Sequence, residues 1–445
     1  MFAHRAENAV AIAVLAAMVL LALMEVVGRA LFRVGIPGSI VLVQHLTLWT
    51  VVLGAALAAR SDRLLALSTP HFLPEQYRRP VRTFTSAVAV GVSAWLSVAS
   101  VDLVRIERDF GGLVAWGIPS WVGFAVLPVG FAIITGRLIW RSGDSWRTRM
   151  SAAIGLAAPA VFTLLPTPAG SGLLLTALAV ILVATAAGMP IFAAVGGSAL
   201  LLFWGDGTPV NAVPGETYRL TTSPMLPAIP LFALGGYVLA AGAASRRLMR
   251  LFTALVGWMP GGLAIVVTLV LAFFTPLTGA SGVTILSMGG LFLPALVGAR
   301  YPESTSVGLV TVSGSIGLLF FPSLPVFLYA YYANVPFERV FVGGLIPGVL
   351  LVLVVAGWAA WRGWRGGATR TPFHIQEAMA ATWAAKWELL LPLVVLGGIV
   401  TGLTTLVEAA AISVLYVVIV ECTIHKGLSA IRDLPRVAVE CATLV

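Results

Sequence analysis

Apolar runs of roughly 17–25 residues, the length a helix needs to cross a bilayer, recur along almost all of this chain. In lipid every backbone N–H and C=O must be satisfied internally, so a spanning segment is a helix or part of a closed barrel. No ten-residue blocks alternate with period two, which argues against a barrel. The chain therefore reads as an all-α polytopic membrane protein. Hydrophobic residues make up 59% and charged residues 10%, against about 45–50% and about 25% in soluble domains. Too little charge remains to cover a soluble surface. The net charge of +9 lies in short clusters between the runs, as in cytoplasmic loops, so nucleic acid is not an expected partner and membrane lipid is. Cys422 and Cys441 have neither the number nor the spacing of a metal site or disulfide framework, and no organic cofactor is expected. Residues 9–32 are too long for a signal-peptide core and read as a first anchor.

Further runs cover residues 40–59, 84–104 and 121–140. Arg60, Arg63, Arg78, Arg79 and Arg82 follow the second run, and Arg141, Arg147 and Arg149 follow the fourth. Placing both clusters in the cytoplasm puts the N-terminus there too. Residues 1–150 form a four-helix scaffold, and 151–170 a linker helix. Within 171–445 the stretch 172–204 is too long for one simple span and is broken at Gly188, Met189 and Pro190; it is two short spans or one long bent helix. Residues 206–223 read as an outside loop. Residues 226–242 lead to Arg246, Arg247 and Arg250 inside.

Residues 262–297 hold two apolar halves, 263–274 and 283–297, each short for a span. Between them lie Thr275, Pro276, Leu277, Thr278, Gly279, Ala280, Ser281 and Gly282, small or helix-breaking and without charge. A re-entrant hairpin is expected, with its tip at membrane depth, tolerable only where protein or a watery cavity satisfies the backbone. The next helix, 304–331, should be unwound over 313–325, where Gly314, Gly317, Pro322 and Pro325 cluster. Residues 371–388 place Ile375, Met379, Trp383 and Trp387 four apart, as in an amphipathic helix on the membrane surface. The stretch 389–421 then repeats the pattern of 172–204, with a break over 401–408 and opposite orientation by charge. Weak inverted symmetry of this kind marks secondary transporters. The first repeat would be 171–370 and the second 389–445. The same spacing carried forward from Ser281 lands beyond Val445, so the second repeat is expected to be incomplete here, any second ion site to lie outside the sequence, and this chain alone to be inactive.

The run from Leu226 to Gly236, the Gly-Ala-Ser-Gly tip at 279–282, the segment Gly314–Leu319 followed by Pro322 and Ser323, and Val407–Ala411 resemble the large membrane subunit of tripartite ATP-independent periplasmic (TRAP) transporters. The unit before residue 150 resembles the small subunit, through its topology and residues 53–56. The resemblance covers nearly the whole chain in order. It implies an inner-membrane permease of elevator type that imports an organic acid, a dicarboxylate or sugar acid, with sodium and from a periplasmic substrate-binding protein. Carried over by motif, the sodium and substrate site comprises Thr278, Gly279, Ala280, Ser281, Ser313, Gly314, Gly317, Pro322 and Ser323. Half-helix N-termini there suit a carboxylate. The sequence departs from the family in three places. The tip lacks one serine, Phe321 replaces the first proline of a Pro-Pro-Ser, and Thr405 to Glu408 reads Thr-Leu-Val-Glu rather than Thr-Pro-Thr-Glu.

Rival readings are kept in view. A carrier of the same superfamily working without a binding protein is one alternative. A channel would need a continuous lined pore, and an enzyme would need convergent histidines or acids, whereas the chain holds five histidines and no H-E-x-x-H spacing. Glu25 is either a functional intramembrane acid or a structural partner of Arg29 or of a neighbouring subunit. Gln44 and His45 read as interhelical hydrogen-bond partners. Gly188, Pro190 and Glu408 are read as shaping helix breaks, with proton coupling the alternative for Glu408.

Overall fold

The computed structural model describes residues 2–67, 69–72, 74–143, 145–164, 171–279 and 281–444. Among them there is no β-strand, only two isolated bridges. Helices follow in the order α1 (Phe2–Val27), α2 (Ser39–Ser61), α3 (Glu75–Phe110), α4 (Ser120–Phe124), α5 (Val126–Arg141), α6 (Trp146–Ala153), α7 (Ala158–Leu164), α8 (Ser171–Ala186), α9 (Ile191–Gly205) and α10 (Ala212–Thr221). They continue as α11 (Ala228–Ala241), α12 (Ala244–Val256), α13 (Gly262–Thr278), α14 (Ser281–Gly298), α15 (Glu303–Ile316), α16 (Leu324–Ala333), α17 (Phe337–Arg365), α18 (Ile375–Ala384), α19 (Lys386–Val400), α20 (Leu406–Ile419) and α21 (Asp433–Leu444). Six described helices are long and apolar enough to cross a membrane, and up to eight spans result if each of two bent pairs counts as one. The chain is an all-α polytopic membrane protein.

Two compact units form, one from Met1–Val14, Pro37–Ser223 and Ala442–Val445, the other from Leu15–Ile36 and Pro224–Cys441. The first unit thus takes in α8 to α10, beyond the boundary near residue 150 drawn from composition. Its core explains why. Trp95 of α3 stacks on Phe162 of α7 at 4.5 Å, and Phe162 meets Trp204 of α9 edge-on at 5.1 Å. Lipid gives helices no hydrophobic reason to associate, so tight packing of this kind does the holding.

Residues 206–223, expected as a loop, contain α10. It forms because Val213 and Pro214 are buried while Tyr218 stacks on Phe124 at 3.7 Å. The Tyr218 hydroxyl also meets His45 Nε2 at 2.7 Å, and His45 Nδ1 lies 2.8 Å from the Val41 carbonyl. Burial, then the Glu107 charge, pushes the Tyr218 phenol up to about 12. The Val41 carbonyl can only accept, so His45 Nδ1 donates to it, and Nε2 shares the other hydrogen bond with the Tyr218 hydroxyl.

In the second unit α11 and α12 meet at a 71° bend, and α18 and α19 at 53°. The surface helix is shorter than residues 371–388. Pro372 has no N–H to give, His374 is extended, and Ala385 ends the helix, so Trp387 belongs to α19. Ile375, Met379 and Trp383 remain exposed on α18, with the Lys386 ammonium 3.6 Å over the Trp383 ring. That is the pattern of a helix lying in the membrane interface.

Breaks fall where glycine and proline allow them. Gly188 has φ +98°, and Pro190 caps α9. At the second break Thr405 and Glu408 form a capping box at the start of α20, Thr405 Oγ1 accepting from the Glu408 N–H and Glu408 Oε2 from the Thr405 N–H at 2.9 Å. Arg29, in the π-helical turn Gly28–Phe32 after α1, pairs with the same Glu408 oxygen. Glu25 accepts from the Ile36 N–H at 2.8 Å, which ties down the loop after that turn. Thr405→Ala should lower stability by about 1 kcal/mol. Thermal unfolding in detergent checks this; an unchanged midpoint would mean that Arg29 alone holds the helix start.

Candidate functional site

Helices α13 and α14 form the expected hairpin, but its tip is narrower than residues 275–282. Helix α13 runs through Thr275 and Pro276 to Thr278. Thr275 donates its hydroxyl to the Leu271 carbonyl at 2.8 Å, which keeps the turn helical just before the proline. Gly279, at φ +71°, ends the helix, its N–H donating to Thr275 O at 2.9 Å and Pro276 O at 3.2 Å. A residue with a Cβ would be strained there. Ala280 lies outside the described residues. Ser281 opens α14 and is half-buried.

Buried hydroxyls close the tip from inside. The Thr278 hydroxyl donates to Thr275 O at 3.1 Å and shares a hydrogen bond with the Thr284 hydroxyl at 2.7 Å. Deeper along α13, Ser313 of α15 donates to Thr268 Oγ1 at 3.2 Å, and Thr268 donates to Ala264 O at 2.9 Å. Thr268, Thr275, Thr278, Thr284 and Ser313 are all buried. Sequence reading missed Thr268 and Thr284. The available signal was a lone threonine inside each of two apolar runs, where a hydroxyl needs a partner.

The unwound region is narrower too. Ser313 and Gly314 lie within α15, residues 317–319 form a 3₁₀ turn, and only Phe320 to Ser323 are non-helical. The cause is satisfaction of the backbone: Phe320 N–H donates to Gly317 O at 3.0 Å, and the prolines sit past the helix rather than inside it. Phe321 and Pro322 are joined by a cis peptide. Ser323 sits at the start of α16 and donates its hydroxyl to Leu318 O.

Three glycines let neighbouring backbones close on the tip. A Cβ at Gly317 would stand 2.5 Å from Thr275 Cβ, 3.0 Å from Ala272 O and 3.1 Å from Pro276 Cδ. A Cβ at Gly314 would meet Ile285 Cγ1 at 2.6 Å, with Ser281 O at 3.8 Å. A Cβ at Gly236 of α11 would lie 2.2 Å from Leu277 O and 2.7 Å from Thr278 Cα. The structure thus brings Thr278, Ser281, Ser313, Gly314 and Gly317 onto one hairpin tip and the helix beside it. Ser323 and Pro322 stand at the break instead, beside Phe321. The Phe321 ring lies 5.9 Å from Phe232 and from Phe327, and 5.4 Å from Phe341. It lines an apolar cavity of ≈ 460 Å³ with Phe273, Pro276, Leu277, Phe320 and Leu396.

This donor set is hydroxyl and carbonyl oxygen, neutral and hard, with no carboxylate in the contacts described. Such a set fits a small monovalent cation better than a transition metal, and no cluster of three or more metal-ligating His, Cys, Asp or Glu occurs among the described residues. A helix leaves its first N–H groups without intrahelical partners, which makes the start of α14 at Ser281 suited to an anion. Thr268→Val should lower stability by about 1 kcal/mol by stranding the Ser313 hydroxyl. Unfolding in detergent measures it, and no change would show that the Thr268–Ser313 bond contributes nothing.

Two family models match the sequence. Residues 175–445 match the tripartite ATP-independent periplasmic transporter, DctM component, and residues 18–148 match the DctQ component of the same transporters. The isethionate TRAP transporter permease protein DctMQ of Oleidesulfovibrio alaskensis is 32% identical over 345 residues, 74% of this chain and 53% of the relative. The C4-dicarboxylate TRAP transporter large permease protein DctM of Rhodobacter capsulatus is 30% identical over 273 residues, 58% of this chain and 62% of the relative. The sialic acid TRAP transporter permease protein SiaT of Haemophilus influenzae is 24% identical over 440 residues, 91% of this chain and 69% of the relative. The alignments to the first two relatives thus cover less than two thirds of each relative's length.

Proposed function

This chain belongs to the TRAP transporter family, with DctQ-type and DctM-type parts in one polypeptide, and on that premise we propose that it serves sodium-coupled import of an organic acid. A periplasmic substrate-binding protein delivers the acid, and the DctM-type part carries it across the bacterial inner membrane by an elevator motion. Relatives named for isethionate, C4-dicarboxylates, 2,3-diketo-L-gulonate and sialic acid support the organic-acid class. The N-terminus lies in the cytoplasm, a reading supported by the arginine clusters after α2 and α5.

One observation carries the sodium reading: the buried hydroxyls of Thr275, Thr278 and Thr284 at a neutral hairpin tip, with those of Thr268 and Ser313 deeper along α13. Sodium is a co-substrate here. Its ligands would be drawn from Thr278, Gly279, Ala280, Ser281, Ser313, Gly314 and Gly317, with Pro322 and Ser323 shaping the neighbouring break, and the N-terminus of α14 would take the carboxylate. The inverted pairing of the breaks at Gly188–Pro190 and before Glu408 supports alternating access.

The test is uptake into proteoliposomes by a complete transporter carrying this sequence, with its binding protein, an organic-acid panel, and a sodium gradient imposed or withheld. Ser281→Ala is expected to reduce sodium-driven uptake on the order of tenfold or more, the equivalent of one lost charge-assisted contact of about 1.5–3 kcal/mol, and Ser323→Ala to reduce it by freeing the break that its hydroxyl closes on Leu318 O. Uptake indifferent to sodium would sink the coupling. Uptake unchanged in both variants would move the site elsewhere.

A further inference from the structure

Away from the hairpin tip, α12, α19 and the end of α20 bring two acids onto one base. Arg247 donates from Nε to Glu388 Oε1 at 2.6 Å, and its Nη2 contacts Glu388 Oε1 at 2.5 Å and also Glu421 Oε1. Glu388 is 1% exposed and Glu421 0%. The second oxygen of each carboxyl is buried with no hydrogen-bond partner among the described residues. His425 completes the group: its Nε2 lies 3.8 Å from Glu388 Oε1 and is likewise buried without a hydrogen-bond partner.

Charge does not balance in this group. Two carboxylates on one guanidinium leave a net negative charge in a low-dielectric interior, where a carboxylate takes up a proton rather than remain uncompensated. Two carboxyls meeting at a single nitrogen are also an arrangement in which like charge makes one retain its proton. We propose that Arg247, Glu388 and Glu421 form a proton-binding site, holding one proton from bulk water as an O–H bond on Glu421, which enters and leaves by way of the Glu388 carboxylate and the partly exposed His425 that faces it.

Glu421 takes the proton because of the backbone. Glu388 lies in the first turn of α19, where the helix dipole favours negative charge, and Glu421 lies just past the C-terminal end of α20, where it does not. Three other charged groups on the packed elements are engaged elsewhere. Arg250 pairs with Glu377 of α18, Lys386 covers Trp383, and Asp433 accepts from the Ser429 N–H. Tyr416, which donates to Trp387 O, and Cys422 are the remaining titratable side chains near the two acids. Arg246 and Lys426 flank the group in sequence, and the ion pairs of the two acids among the described residues are with Arg247 and His425. Because the three ligating residues sit on three segments, gain or loss of the proton changes how firmly α12 is held to α19 and α20.

Infrared spectroscopy of this chain in lipid nanodiscs at neutral pH should show the carbonyl stretch of a protonated carboxylic acid, shifted by ¹³C-glutamate labelling. Glu388→Gln and Glu421→Gln each restore one-to-one pairing with Arg247, so the band should vanish in both and persist in the exposed control Glu377→Gln. A parent without the band, a band surviving in both variants, or a band abolished by sodium at constant pH overturns the proposal. Should a variant fail to fold, the parent decides by itself. Its band should disappear reversibly as pH rises, and its thermal midpoint should fall over the same range, because stability from a proton held in the folded state is lost as that proton leaves. A midpoint unmoved while the band disappears also overturns it.

Discussion

Arg247→Met should destabilise the second unit by about 3–5 kcal/mol at neutral pH, the cost of leaving buried acids without their counter-charge. Methionine keeps the length and apolar stem of arginine, so the loss isolates the guanidinium rather than the packing. The two carboxyls that met on Nη2 would then face each other across an apolar gap. Combining the change with Glu388→Gln and Glu421→Gln should return most of the loss, because no buried charge is then left to compensate. Unfolding in detergent, followed by circular dichroism, measures all of these. A single variant that costs under about 1 kcal/mol would show that water reaches the acids and that the group is solvated.

Gly236→Ala should impair transport while leaving every hydroxyl at the tip in place. The added Cβ would stand 2.2 Å from Leu277 O and 2.6 Å from Leu277 C, both backbone atoms that no side-chain rotation can move. Overpacking of this kind costs about 1–3 kcal/mol, roughly fivefold to a hundredfold in any equilibrium that depends on where the tip sits. Gly235→Ala is the matched control, since its Cβ meets Ser413 Oγ at 3.4 Å and Val414 at 3.8 Å, ordinary contacts. Sodium-driven uptake should fall in the first variant and survive in the second. Equal uptake in both would mean that α11 and the tip can separate.

Much of this was legible because glycine and proline mark breaks through local geometry alone. Gly188, Pro190 and the stretch before Glu408 carry their information in sequence order, and the chain ends its helices beside them. On its first side the tip is four residues narrower than expected because Pro276 looks like a breaker. Its cost is removed by context: the Thr275 hydroxyl bonds back one turn, and Gly317 from another helix lets that helix pack against the proline ring. Serine and proline density likewise exaggerated the unwinding at Ser313, whose hydroxyl is engaged by Thr268, 45 residues away. Pairings over longer range left no trace in local pattern. Arg29 and Glu408 are 379 residues apart, and Arg247 finds Glu388 and Glu421 at 141 and 174. Local reading registers that such charges are expensive in an apolar stretch; it cannot name their partners.

Phe321 shows how a motif can keep its position and change its chemistry. A ring now stands where the family's first proline would be, packed among Phe232, Phe327 and Phe341. The chain turns at Phe321 and Pro322, and the cavity beside the turn has an aromatic wall.

Helix α11 carries two successive glycines, Gly235 toward Ser413 and Val414 of α20 and Gly236 toward the peptide joining Leu277 and Thr278. A helix bare on both flanks has nothing soft to compress. Displacement of the hairpin tip therefore bears directly on the α11 backbone at Gly236, while the methyl-sized space at Gly235 is where play toward α20 can be taken up.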